Sequence, residues 1–75
     1  MLECIEQYVI DRVRAKRNEL NWTQEDLAAA SGYSQGFIGD VESGTRGKKY
    51  NLKHLNAFAK AFKCSPRDFL PKEPC

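Results

Sequence analysis

Residues 23–43 read TQEDLAAASGYSQGFIGDVES, and the rest of the chain is organised around this stretch. Thr23 is a favourable N-cap, and Asp26 three residues later completes a capping box. A helix is therefore predicted from Gln24 to about Ala30. Gly32 follows it and supplies the positive φ that a tight turn after a helix requires. The first half of the stretch is thus a short helix that ends in a sharp turn.

The second half of the stretch predicts another short helix, which begins after Ser34 and ends near Glu42. Its outward side carries Gly36 and Gly39, and each glycine costs about 1 kcal/mol relative to alanine inside a helix. Two such losses in one short helix have two explanations. Either the surface is kept bare so that another molecule can lie flat on it, or a neighbouring helix packs closely against it.

The sequence on either side predicts three more helices. Apolar residues at helical spacing predict one from Ile5 to Glu19, and Trp22 after it fits a hydrophobic staple for the next helix. Another is predicted over residues 52–62. Its expected core residues are Leu52, Leu55, Phe58, Ala59 and Phe62. The sequence Ser-Pro-Arg-Asp at 65–68 predicts the start of a fifth, short helix, and residues 71–75 form a tail.

The composition indicates one small globular domain that spans residues 1–75. The chain has 75 residues, of which 41% are hydrophobic and 29% are charged. No apolar run approaches the roughly 20 residues that a membrane span needs. The acidic start also lacks the basic and apolar regions of a signal peptide. We therefore expect a cytoplasmic protein with no membrane partner.

The cysteines and the single histidine predict neither a metal site nor a disulfide framework. Cys4, Cys64 and Cys75 are far apart, odd in number and form no C-x-x-C motif. Cys64 is expected in the core, Cys75 as a free thiol in the tail, and His54 in solvent. The chain also has no nucleophile–base pair at a plausible spacing and no phosphate-binding glycine loop. An enzyme is therefore not expected, nor a cofactor or a small-molecule substrate.

Positive charge is concentrated directly after the second helix of the central stretch. The formal net charge of the chain is only +2. Residues 44–53, however, carry Arg46, Lys48, Lys49 and Lys53 and no acid. A cluster of this kind is commonly a solvated loop, but its position beside the two helices predicts contact with phosphate groups.

Taken in order, these motifs resemble the Cro/C1-type (XRE-like) helix-turn-helix domain of lambdoid phage repressors. The resemblance rests on WTQEDLA at 22–28, SGYSQ at 31–35 and LxxLxxFAKAFxCS at 52–65, and it covers about residues 8–70. It implies an all-α, compact five-helix lambda-repressor-like fold in which helices two and three form the helix-turn-helix. Helix three would then enter the major groove of double-stranded operator DNA.

Carried over position by position, the resemblance implies a set of DNA contacts. The implied base contacts are Gln35, Gly36, Gly39 and Asp40. Glutamine fits adenine N6 and N7, and aspartate accepts from cytosine N4. The implied backbone contacts are Gln24, Ser34, Ser43, Thr45, Arg46, Lys48 and Lys49. Gln24 is also expected to brace the first recognition residue, and Arg17 and Glu42 match a structural ion pair.

The implied function is that of a sequence-preferring DNA-binding transcriptional regulator, a homodimeric repressor or controller protein. Direct base reading is expected to be limited, because the recognition helix has only Gln35 as a clear reader. The dimer surface would come from helix one, helix four or five, or the tail. The alternative is an antitoxin-like or other protein-interaction module with weak or no DNA binding. The bare third helix and the apolar stripe of Leu2, Ile5 and Val9 motivate that alternative.

Overall fold

The computed structural model describes residues 1–75 and contains four α-helices and no strand. The helices are α1 (Cys4–Glu19), α2 (Gln24–Ser31), α3 (Gln35–Ser43) and α4 (Leu52–Phe62). One 3-10 turn, Thr45–Gly47, follows α3, and a second, Pro66–Phe69, follows α4. The predicted all-α, lambda-repressor-like fold is confirmed.

The predicted fifth helix is a single 3-10 turn. Ser65 caps it and Pro66 occupies its first turn, as the sequence predicts. It ends after four residues because Leu70 already has an extended backbone, with φ −107° and ψ 146°. Four residues are too few to complete α-helical hydrogen bonding beyond one turn.

The predicted caps define the central two helices. The Thr23 side chain accepts a hydrogen bond from the Asp26 backbone N–H at 3.0 Å, and the Asp26 carboxylate accepts one from the Thr23 N–H at 2.8 Å. Gly32 ends α2 in the left-handed region with φ 84°. The Ser34 hydroxyl then accepts from the Phe37 N–H at 3.1 Å and starts α3. Each of these contacts lies within three residues along the chain, so the sequence is sufficient to specify them.

All four helices contribute to one apolar core. Its 13 buried residues are Val9, Ile10, Val13, Leu27, Ala28, Ile38, Val41, Tyr50, Leu55, Phe58, Ala59, Phe62 and Phe69. The prediction for Leu52 is wrong, because its side chain is 78% exposed. Leu52 is the first residue of α4 and lines an open surface groove rather than the core.

His54 is half-buried, and the prediction that it faces solvent is wrong. Its ring lies between Tyr33 and Phe37, with centroids 4.7 Å from each. Its Nδ1 accepts a hydrogen bond from the Asn51 N–H at 2.9 Å, which completes the N-terminal capping box of α4. Burial and the positive charge of Lys53 lower the pKa of the imidazole below its ordinary value.

The two chain ends are joined by a disulfide between Cys4 and Cys75. The sequence prediction of a free Cys75 thiol is therefore wrong. The two residues are 71 positions apart, so local sequence has no signal for this pairing. Cys64 remains a free thiol, half-buried against the core, and burial raises its pKa.

Candidate nucleic-acid interface

The outer face of α3 is the candidate interface. α3 buries Ile38 and Val41, which lie three residues apart on its inner side. With about 3.6 residues per turn, the positions half a turn away must face outward. They are Gly36, Gly39, Asp40 and Ser43. Gly36, Asp40 and Ser43 lie nearest the middle of this face, Gly39 lies to one side of it, and Gln35 lies at its edge.

The two glycines of α3 have different surroundings. A Cβ atom added at Gly36 would meet no other atom within 4 Å. A Cβ at Gly39 would lie 3.1 Å from Oε1 of Gln24. Gly36 therefore leaves open surface, whereas Gly39 makes room for a side chain of α2. Close packing therefore accounts for Gly39, and for Gly36 the contact with another molecule stays a prediction.

Gln35 belongs to a chain of side-chain amides. Its Nε2 donates to Oε1 of Gln24 at 2.9 Å, and Nε2 of Gln24 donates to Oε1 of Glu42 at 3.2 Å. This arrangement holds Gln35 at the first turn of α3. The amide of Gln35 still has its carbonyl oxygen and one N–H unused, which are the acceptor and donor that adenine requires.

Glu42 is the hub that joins three parts of the structure. Its carboxylate accepts from Nε and Nη2 of Arg17 at 3.0 and 2.7 Å. Arg17 also donates to the carbonyl oxygen of Trp22 at 2.8 Å. Arg14 reaches the Glu42 carboxylate at 3.4 Å and also donates to the Glu42 backbone carbonyl. α1, the α1–α2 connection and the end of α3 are thereby held together.

Opposing effects act on the pKa of the Glu42 carboxyl. Burial alone raises it, since burial disfavours the charged form. Hydrogen bonds from Arg17 and Gln24, together with the charges of Arg17 and Arg14, outweigh burial, and the pKa is lowered. The carboxylate stays charged at neutral pH and keeps all its donors. The contact of Arg14 with Glu42 was not predicted, although Arg14 lies three residues before Arg17 and therefore on the same side of α1.

The two adjacent lysines of the basic loop after α3 contact two different surfaces. Nζ of Lys48 lies 2.9 Å from Oδ2 of Asp40 on the outer face of α3. Nζ of Lys49 instead lies 2.7 Å from Oε2 of Glu6 on α1. Arg46 is exposed at the tip of the loop, with φ 56°. The structure thus brings Lys48 to the outer face of α3 and Lys49 to α1.

The remaining predicted backbone contacts surround the two ends of α3. The Ser34 hydroxyl serves as the N-cap of the helix. At the other end, the Ser43 hydroxyl donates to the Asp40 carbonyl at 3.1 Å and lies 2.7 Å from the Thr45 hydroxyl. The described residues contain no group of three or more His, Cys, Asp or Glu side chains placed to hold a metal ion. None of the helices is long and apolar enough to cross a membrane.

An apolar groove lies apart from α3, between the start of α1 and the start of α4. Its volume is about 370 Å³. Its apolar lining comprises Ile5, Val9, Tyr50, Leu52, Leu55 and Leu70. Glu6 and Lys49 also line it and form the ion pair described above. We call this feature the α1–α4 groove.

Comparisons with known proteins agree with this geometry. A family model described as helix-turn-helix matches residues 13–69. Among solved structures, the restriction-modification controller protein C.AhdI from Aeromonas hydrophila is similar, with a TM-score of 0.74 and 28% sequence identity. That match covers 84% of this chain and 92% of the other. No curated protein sequence matches the chain.

Proposed function

The chain belongs to the Cro/C1-type helix-turn-helix family of DNA-binding transcriptional regulators, and from this premise we propose that it binds operator DNA as a homodimer, with α3 in the major groove. The observation that carries the proposal is the outer face of α3, where Gly36 leaves open surface and Gln24 holds Gln35 at the start of the helix. A helix without bulk at its centre can approach the base edges closely. The protein acts in the cytoplasm by occupying DNA, without a catalytic step.

The similarity to a restriction-modification controller protein favours a regulator of the same compact kind. Gln35 reads adenine, since its amide retains one donor and one acceptor. Arg46, Ser43 and Thr45 contact the DNA backbone beside the C-terminal end of α3. Their contacts supply much of the affinity, and the deformability of the DNA adds to the sequence preference.

The test compares binding to a site selected in vitro with binding to random duplex over a series of salt concentrations. We expect tighter binding to the selected site and a log K that falls linearly with log salt. Gln35→Ala should lose about 1–3 kcal/mol of discrimination at one base pair. Arg46→Ala should weaken binding to every sequence and reduce the salt slope by about 1. Equal affinity for selected and random DNA at all salts would contradict sequence-specific regulation.

We propose that the homodimer forms through the α1–α4 groove. Leu52 projects from one edge of this groove, with 78% of its surface exposed. In a two-fold dimer the same patch meets itself, so each copy can place its Leu52 in the groove of the other. Among the apolar residues that line the groove, Leu52 is the most exposed. Its burial in both copies would remove this apolar surface from water.

Leu52→Glu tests the dimer, with Leu20→Glu as the matched control, because Leu20 is also exposed but does not line the groove. Sedimentation should show a monomer for Leu52→Glu and a dimer for Leu20→Glu. Binding to two half-sites should weaken in Leu52→Glu only, while binding to one half-site stays unchanged. A wild-type protein that is monomeric at all concentrations would contradict the homodimer. Such a monomer, if it also showed no DNA preference, would favour the protein-interaction alternative.

A further inference from the structure

The structure pairs Asp40, which the family resemblance implies as a base contact, with Lys48, which it implies as a backbone contact. The two side chains meet at 2.9 Å, and they are 43% and 41% exposed, respectively. Ion pairs with this exposure contribute little to stability, typically less than about 1 kcal/mol. The fold therefore does not depend on this contact. Asp40 lies on the outer face of α3, one turn after Gly36, and this position calls for another role.

An unpaired aspartate is an unfavourable residue on a helix that enters the major groove. Duplex DNA carries one negative charge per roughly 1.7 Å of its axis, and a lone carboxylate is repelled by that charge. Lys48 offsets the charge of Asp40, so that the pair is neutral as a unit. The pairing also draws Lys48 from the loop onto the face that meets the bases.

The pair still has hydrogen-bonding capacity for a ligand. The Lys48 ammonium has three N–H donors, and one of them is used by Asp40. The Asp40 carboxylate accepts only, and it retains unused lone pairs. The pair therefore presents two donors beside an acceptor, all on the outer face of α3.

This pattern complements a G·C base pair. In the major groove, guanine presents two acceptors, N7 and O6, and cytosine presents the N4 donor next to them. On the basis of the proposed function, we propose that Asp40 and Lys48 together read one G·C base pair. Asp40 accepts from cytosine N4, and Lys48 donates to guanine O6 and N7. Lys48 is then a specificity-determining residue supplied by the loop, rather than a contact to phosphate.

In vitro site selection with the full chain tests this assignment, using wild type, Asp40→Ala, Lys48→Ala, the double variant and Lys48→Arg. Arg46→Ala is the matched control, since Arg46 belongs to the same loop and has no side-chain hydrogen bond or ion pair in the structure. Both alanine variants should lower discrimination at the same G·C pair by roughly 5- to 150-fold. The loss of discrimination in the double variant should not exceed the larger of the two single losses. Lys48→Arg should keep the preference for G·C.

Three results would overturn the assignment while the proposed function stands. Lys48→Ala and Arg46→Ala could weaken binding to all sequences alike, which would make Lys48 a phosphate contact. The two alanine variants could act at different base pairs, or the shared pair could be A·T. By contrast, a wild-type protein that selects no sequence at all would refute the proposed function itself. Thermal melts of each variant verify that every protein compared is folded.

Discussion

Three side chains from two helices donate hydrogen bonds to the carboxylate of Glu42: Arg14, Arg17 and Gln24. The side chain of Glu42 is only 5% exposed, and that of Arg17 is 12% exposed. At the scale of single residues, this site holds a carboxylate and a guanidinium that are mostly removed from water. Removal of one buried partner leaves the other charge uncompensated, and that loss costs more than the intact pair contributes.

Glu42→Ala should therefore lower the free energy of unfolding by about 3 kcal/mol. Glu19→Ala is the control, since the Glu19 carboxylate is 65% exposed and pairs with Lys16 at 3.5 Å. That change should cost less than about 1 kcal/mol. Urea unfolding of the three proteins measures both values. Equal losses for the two variants would show that the Glu42 hub is not a buried charge site.

Protonation of His54 changes the folding stability between pH 5 and 7. Its pKa in the folded protein lies below its ordinary value of 6.5, so the unfolded chain binds more protons in this range. Stability is then fully present above about pH 6.5 and falls as the pH drops toward the folded pKa. The Asn51 N–H donates to Nδ1, and protonation there would break this capping contact.

Acidification from pH 7.5 to 5.5 should therefore lower the thermal midpoint of the wild-type protein. His54→Gln should be much less sensitive over the same interval, because its side chain does not titrate. Glu6 and Glu42 have pKa values below 4.5, so their contribution is lost only at lower pH. If the thermal midpoints of wild type and His54→Gln fell in parallel across this interval, His54 would not be the source of the pH dependence.

At the scale of elements, α3 combines poor helix residues with a strong start and a strong end. Ser34 caps its first turn, and Gly44 ends it with φ 78°. Ile38 and Val41 anchor it in the core. These contacts hold the helix in place despite its two glycines, and the outer face is left available for DNA.

Gly36→Ala and Gly39→Ala form a matched pair within this helix. Gly36→Ala adds a methyl group to open space, so it should raise stability by up to about 1 kcal/mol. In the proposed complex the same methyl group would face the DNA, and affinity for the selected site should fall. Gly39→Ala should gain less stability, because the new Cβ would lie 3.1 Å from Gln24 Oε1 and displace the brace on Gln35.

Chemical denaturation and mobility shift measure the two effects of these glycine changes separately. An increase in DNA affinity for Gly36→Ala would show that the outer face of α3 does not lie against the duplex. Equal stabilisation by both changes would show that Gln24 moves without cost.

At the scale of the whole molecule, the disulfide ties the tail to the first helix. Cys4 and Cys75 close a loop of nearly the full chain, with a sequence separation of 71. A cross-link of that span restricts the conformations of the unfolded chain. In the loop-entropy description, it raises the free energy of unfolding by up to about 4 kcal/mol. A reducing cytoplasm keeps both cysteines in the thiol form, so the bond adds stability only under oxidising conditions.

Addition of a thiol reductant should therefore lower the free energy of unfolding of the wild-type protein. Cys75→Ser should match reduced wild type and show no response to the reductant. Cys64→Ser is the control, because Cys64 is a free thiol and its removal leaves the response intact. A wild-type protein with identical stability in both conditions would contradict the cross-link.

Local sequence is enough to specify the helices of the central stretch, their caps and the all-α class. Caps and glycine turns depend on contacts between residues at most three or four positions apart, and such contacts are visible in the sequence. The resemblance to the Cro/C1 family added the pairing of Arg17 with Glu42, which local patterns do not reveal.

The directions of the long side chains in the loop depend on the packing of the whole fold. Lys48 and Lys49 are adjacent in sequence, yet one meets Asp40 on α3 and the other meets Glu6 on α1. The exposure of Leu52 and the Cys4–Cys75 bond likewise depend on how distant segments pack. These features arise from contacts across the fold, whose geometry no short window of sequence contains, and so they could not be predicted from it.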